Sequence, residues 1–138
     1  MPRKINLILT ILPIFTVLTF FSLVNRGKSQ DLLTITPQEV KTKLDSTKEL
    51  IIIDVRSEME FRGELGHIPG TVLHPLPEID NWVLEFSDRK NQEIILVCRS
   101  GNRSARAARY LIEHGFTNVK NMTGGTLQWN LNKYPIEK

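Results

Sequence analysis

The stretch Glu93-Ile94-Ile95-Leu96-Val97-Cys98 runs without interruption into Arg99-Ser100-Gly101-Asn102-Arg103-Ser104. The first half is a continuous β-branched and apolar run, the pattern of a parallel strand buried on both faces. The second half is short, polar and basic, with a glycine at its centre, and it leads into the helical segment Arg103 to His114, stopped by Gly115. A strand, a tight turn and a helix in that order place Cys98 at the carboxyl end of a strand, where open α/β sheets carry their functional crevices.

Working outward, the same alternation recurs. Thr36-Pro37-Gln38-Glu39 opens a helix with a capping box and a proline at its first position, and Val40 and Leu44 continue an apolar stripe. Leu50 to Val55 is a second buried strand, ending on Asp54 and Val55, and Ser57 starts a short helix through Phe61. Thr71 to Leu76 reads as a short strand, Ile79 to Phe86 as an amphipathic helix, Val119 to Met122 as a strand and Gly125 to Asn132 as a final helix. The expected fold is α/β, with a mostly parallel central sheet of about five strands flanked by helices on both faces.

The chain has 138 residues and a net charge of +3, from 18 Lys+Arg against 15 Asp+Glu. That length holds one compact domain. Residues 5 to 24 carry 14 apolar side chains and no charge, flanked by Arg3, Lys4, Arg26 and Lys28. About 20 such residues suffice to cross a bilayer as a helix, so residues 1–29 are expected to form an apolar helix that is either a transmembrane anchor or a signal peptide. Gly27 and Ser29 permit cleavage after Ser29, whereas Arg26 and Lys28 suit the flank of a retained anchor. The expected domain is then residues 30–138, in a membrane-anchored or exported, extracytoplasmic protein. Without the four leader cations, 14 basic residues face 15 acids, and the argument for a nucleic-acid partner disappears.

Only one cysteine is present, which excludes an internal disulfide framework and a Cys-cluster zinc site. No metal and no cofactor are expected. A loop that curls from a strand into a helix turns successive N–H groups inward and adds the positive end of the helix dipole. Cys98 at its centre is thus read as an activated nucleophile. Gly101 allows the curl, Arg103 offers a fork to an oxyanion, and Arg99 adds positive potential at the rim. Ser104 is read as the helix cap, with a hydroxyl contact to the anion as the other option.

These residues resemble the rhodanese (sulfurtransferase) family over residues 31 to 138. The resemblance rests on four ordered segments: Asp54-Val55-Arg56 with Glu60-Phe61; Gly66-His67-Ile68-Pro69-Gly70 with Thr71; the loop Cys98 to Ser104; and Met122-Thr123-Gly124-Gly125 through Trp129. It implies a single-domain sulfurtransferase fold in which Cys98 takes sulfane sulfur from thiosulfate, expels sulfite, and passes the persulfide to cyanide or a thiol. Arg99, Ser100, Gly101, Asn102, Arg103 and Ser104 then bind the substrate, with the N–H groups of residues 99 to 103 holding the anionic sulfur. Asp54, Arg56, Glu60 and His67 are expected near the site in structural roles, Asp54 and Arg56 pairing with each other or with Glu60 or Glu64. Arg106 and Arg109 are read as a solvated helix face, and Trp82 and Trp129 as packing.

Two other functions compete. A sulfur-carrier or redox binding module would receive its persulfide from a partner protein, docked against residues 63 to 70 and 76 to 80. A Cys-dependent phosphatase or arsenate reductase would need five residues between Cys and Arg, whereas four separate Cys98 from Arg103.

Overall fold

The computed structural model describes residues 32–46 and 49–138. The expected leader helix falls on residues outside these. Among the described residues no helix is long and apolar enough to cross a membrane.

Five strands form one sheet: β1 (Leu33–Ile35), β2 (Ile51–Asp54), β3 (Val72–Leu73), β4 (Ile94–Val97) and β5 (Val119–Met122). Their spatial order is β1-β5-β4-β2-β3, and every pair is parallel. β4 lies at the centre, in register with β2 through Ile52↔Ile95 and Ile53↔Leu96 and with β5 through Leu96↔Asn121. All four residues of β4 are buried, as expected for a strand covered on both faces.

Alternate side chains of β2 and β4 feed two separate cores, following the two-residue repeat of a strand. Ile53, Ile94 and Leu96 pack with Ala107, Ala108 and Leu111 of α4 (Asn102–Glu113) and with Ile79, Trp82, Val83 and Phe86. Ile52, Ile95 and Val97 pack on the other face with Val40 of α1 (Pro37–Ser46) and Trp129 of α5 (Gly125–Leu131). The fold is therefore the expected α/β sandwich. The capping box at the start of α1 is present, with Glu39 N–H donating to Thr36 Oγ1 and Thr36 N–H to Glu39 Oε2. A second one starts α2 (Glu58–Phe61), between Ser57 and Glu60.

Three expectations change. β1 was not anticipated; it is three residues long and two of them are exposed, so it has little apolar pattern to read. The strand expected over residues 71–76 is only Val72–Leu73. Pro75 and Pro77 cannot donate to a ladder, and a 3₁₀ turn begins at Leu76. The helix expected over residues 79–86 divides into α3 (Ile79–Trp82) and a 3₁₀ turn (Val83–Phe86), with Trp82 Nε1–H tied back to Pro75 O at 3.0 Å.

At the end of β2, Asp54 and Arg56 form a wholly buried ion pair. Arg56 Nη2 lies 2.7 Å from Asp54 Oδ2 and 2.7 Å from the Gly66 carbonyl, while Asp54 Oδ1 also accepts the Arg56 backbone N–H. The pair ties β2 to the segment that leads to β3. Removing one partner of a buried pair leaves a charge without compensation, at about 3–5 kcal/mol. Arg56→Met should lower the free energy of unfolding in urea by about that amount, and Asp54→Leu with Arg56→Met should recover much of it.

Candidate active site

Cys98 follows the last residue of β4 and is 1% exposed. Its Sγ accepts a hydrogen bond from the Gly101 N–H at 3.1 Å and lies 3.3 Å from the Ser104 hydroxyl. Burial pushes the thiol pKa up, but the Ser104 hydroxyl and the backbone N–H groups of Ser104, Gly101 and Ser100 outweigh it. The net effect lowers the pKa below the ordinary cysteine value. A hydrogen bond offered to an anion favours the anion, and three of these four donors belong to the backbone. Among the described residues no imidazole or carboxylate hydrogen-bonds to the sulfur.

The loop is held open from behind. Thr126 N–H donates to the Cys98 carbonyl at 2.9 Å and Leu127 N–H to the Arg99 carbonyl at 3.0 Å. With those carbonyls facing the first turn of α5, the backbone N–H groups of Ser100 and Gly101 are left on the side of the sulfur. Gly125 makes this approach possible. A Cβ there would meet the Cys98 carbonyl oxygen at 2.3 Å and the Arg99 carbonyl oxygen at 2.5 Å, and the residue also has φ +56°. Gly101 precedes α4 in the left-handed region at φ 102°, which bends the chain from loop to helix.

The residues proposed for the site divide into three groups. Cys98, Gly101 and Ser104 converge on the sulfur, and all three are buried. Arg99, Ser100 and Asn102 have exposed side chains, so Ser100 takes part only through its backbone. Arg103 is partly buried, and its guanidinium forks onto Glu60, with Nη1–Oε2 at 2.8 Å and Nη2–Oε1 at 2.6 Å. The fork assigned to an oxyanion is thus occupied by a carboxylate of the protein. That hydrogen bond from Arg103, opposed by burial and aided by the Ser57 backbone, holds Glu60 down at a pKa of about 2.

Ser104 is not the cap of α4. The N-cap is Gly101, without a side-chain bond, and Ser104 lies inside the first turn with its hydroxyl 2.6 Å from Asn121 Oδ1. Nothing in the local sequence around Asn121 marks it for this place. His67 stacks on Phe61 with centroids 3.6 Å apart and places Nδ1 3.1 Å from the Phe61 carbonyl, a structural arrangement. Asp54 and Arg56 pair with each other.

Beside the loop runs a cleft of about 520 Å³, lined by Val55, Ser57, Pro75, Leu76, Pro77, Ile79, Arg103, Arg106 and Tyr110. Of the two segments proposed for docking, only residues 76 to 80 contribute to it. In the other, His67 and Ile68 are buried, and His67 is bridged to Glu137.

Comparison with known proteins agrees with this geometry. Residues 36–132 match the rhodanese-like domain. YrkF of Bacillus subtilis, whose name proposes a sulfur carrier protein, is 40% identical over 95 residues, covering 69% of this chain. The match takes in 49% of YrkF, so the chain spans about half of that relative's length. A sulfurtransferase of Allochromatium vinosum is 29% identical over 102 residues, covering 74% of this chain and 92% of the relative. The crystal structure of a rhodanese-like domain protein from Staphylococcus aureus superposes with a TM-score of 0.66 at 33% identity, over 78% of this chain and 100% of that one. With residues 36–132, more than half of the chain, matched to that domain and the cysteine loop within them, the chain belongs to the rhodanese-like family.

Proposed function

We propose that the protein is a sulfurtransferase that moves sulfane sulfur from thiosulfate to a thiophilic acceptor through a persulfide on Cys98. The observation that carries this reading is the ring of donors around a buried sulfur to which, among the described residues, no imidazole or carboxylate hydrogen-bonds. The Cys98 thiolate attacks the outer sulfur of thiosulfate, forming a sulfur–sulfur bond. The bond from that sulfur to the sulfonate group breaks, and its electron pair leaves with sulfite. The acceptor, a thiolate or cyanide, then attacks the outer sulfur of the persulfide and restores the thiolate. Each half-reaction exchanges one anionic sulfur for another, so the cradle is needed throughout and proton transfer is incidental.

A second reading shares the persulfide but takes the sulfur from a partner protein. The apolar wall of Pro75, Leu76, Pro77 and Ile79 favours it, since this surface is larger than thiosulfate or cyanide requires. The naming of YrkF points the same way. Measured with thiosulfate, a kcat/KM well below roughly 10⁴ M⁻¹s⁻¹ favours the carrier. For residues 1–29 the proposal remains an anchor or export signal that brings the domain to the membrane or across it.

Thiosulfate treatment should add one sulfur atom to the intact mass, and cyanide should remove it as thiocyanate. Cys98→Ser should abolish both, and persistence of either overturns the mechanism. Glu60→Gln keeps the cap of α2 but frees the Arg103 fork, so KM for thiosulfate should fall by up to roughly fivefold, the scale of one partly exposed ion pair. An unchanged KM removes Arg103 from donor binding. Because folding lowers the Glu60 pKa from 4.5 to about 2, the pair's stabilisation is complete above pH 4.5 and lost as pH falls towards 2. The acid limb of a stability–pH profile should therefore flatten in Glu60→Gln. Gly125→Ala should displace the loop carbonyls and lower kcat/KM by roughly 10²-fold, the effect of about 1 Å of misplacement.

A further inference from the structure

Ser104 Oγ stands 2.6 Å from Asn121 Oδ1 and 3.3 Å from Cys98 Sγ. A serine hydroxyl has one hydrogen, so it serves one of these acceptors at a time. Asn121 belongs to β5, paired with Leu96 of β4, and points to the same sheet face as α4. All three side chains are buried, so water is a poor substitute for either bond.

The shorter contact favours Asn121 as the acceptor while the thiol is neutral. When the sulfur carries negative charge, the hydroxyl gains more by turning to it. Oδ1 would then face a hydroxyl lone pair at 2.6 Å, which is repulsive. Half a turn of the carboxamide replaces Oδ1 by Nδ2–H, which donates to Ser104 Oγ while Ser104 donates to sulfur. An amide is suited to this because it offers an acceptor on one side and donors on the other. Nδ2 has no other hydrogen-bond partner among the described residues and lies beside Gly101, which has no side chain to obstruct the rotation.

We infer that Asn121 is a positioning residue for the Cys98 chemistry: its carboxamide directs the Ser104 hydroxyl away from the neutral thiol and towards the thiolate or persulfide. This rests on the reading of Cys98 as the nucleophile. The charged groups around the sulfur are otherwise arranged in pairs. Arg103 from α4 is held by Glu60 from α2, and Asp54 by Arg56 at the end of β2. On β5, Lys120 turns to Glu93. Arg99 on the loop and Arg106 on α4 are exposed, and no charged side chain hydrogen-bonds to Ser104, Asn121 or Cys98 among the described residues.

The test is the pH dependence of Cys98 alkylation by iodoacetamide in the full chain. Asn121→Asp keeps the shape but leaves only acceptors when ionised, so it should hold the hydroxyl and, with the repulsion of its added charge, raise the alkylation midpoint by more than about one pH unit. In a Ser104→Ala background only the charge repulsion remains, so the same substitution should shift the midpoint by about one pH unit less, the scale of one hydrogen bond to a charged group. Equal shifts in both backgrounds, or none in either, overturn the inference. In the unmutated protein the Asn121 side-chain amide resonances should move across the same midpoint as the thiol titrates. That measurement needs no variant to fold, and resonances that stay fixed also overturn the inference. Neither readout requires persulfide formation, so a failure of sulfur transfer is seen separately, in the intact mass after thiosulfate treatment.

Discussion

Two backbone hydrogen bonds behind the cysteine loop, Thr126 N–H to the Cys98 carbonyl and Leu127 N–H to the Arg99 carbonyl, determine what the front of the loop can do. Each peptide unit is a fixed dipole, so a carbonyl turned one way commits its amide to the other. The first turn of α5 has unpaired N–H groups to offer, as any helix start does, and here they are spent on the strand end rather than on water. The closeness required leaves no room for a Cβ at residue 125. Cys98 and Thr126 are 28 residues apart in the chain, yet the central β4–β5 pairing brings them together.

The electrostatics follow from that arrangement. Every cation firmly placed near the sulfur is balanced by a carboxylate, Arg103 by Glu60 and Arg56 by Asp54. What lowers the thiol pKa is therefore a set of oriented dipoles and one hydroxyl rather than a net positive charge. The distinction matters for turnover in a sulfur-transfer cycle. A bare cation at the loop would bind sulfite as well as thiosulfate, whereas amides aimed at one position favour the anion formed on the cysteine over an anion beside it.

How much of this was legible in the sequence depends on the range of each interaction. The buried strands, both capping boxes and the strand–loop–helix unit around Cys98 are local patterns and can be read from side-chain type and spacing. β1 escaped notice because an exposed edge of three residues has almost no pattern. The residue type of Ser104 suggests a cap, but the left-handed Gly101 already starts the helix, which frees the hydroxyl for other partners. The loop sequence points Arg103 at the substrate because nothing local shows that Glu60, 43 residues earlier, occupies its fork. Asn121 is a single amide in a short strand; only the register with β4 reveals that it meets the Ser104 hydroxyl beside the Cys98 sulfur.

The cleft carries the same lesson into function. Its apolar wall is Pro75 to Ile79, where two prolines prevent both a longer strand and a regular helix. Irregular backbone is the least readable part of a sequence, and here it forms the apolar wall of the cleft beside the cysteine loop. The loop amides are main-chain groups that many sequences can supply, so they define a chemistry without selecting a partner. The clasp behind Cys98 is made of backbone groups of residues that do not line the cleft. On the sulfurtransferase reading, the wall from Pro75 to Ile79 together with Arg106 and Tyr110 is where choice among acceptors resides.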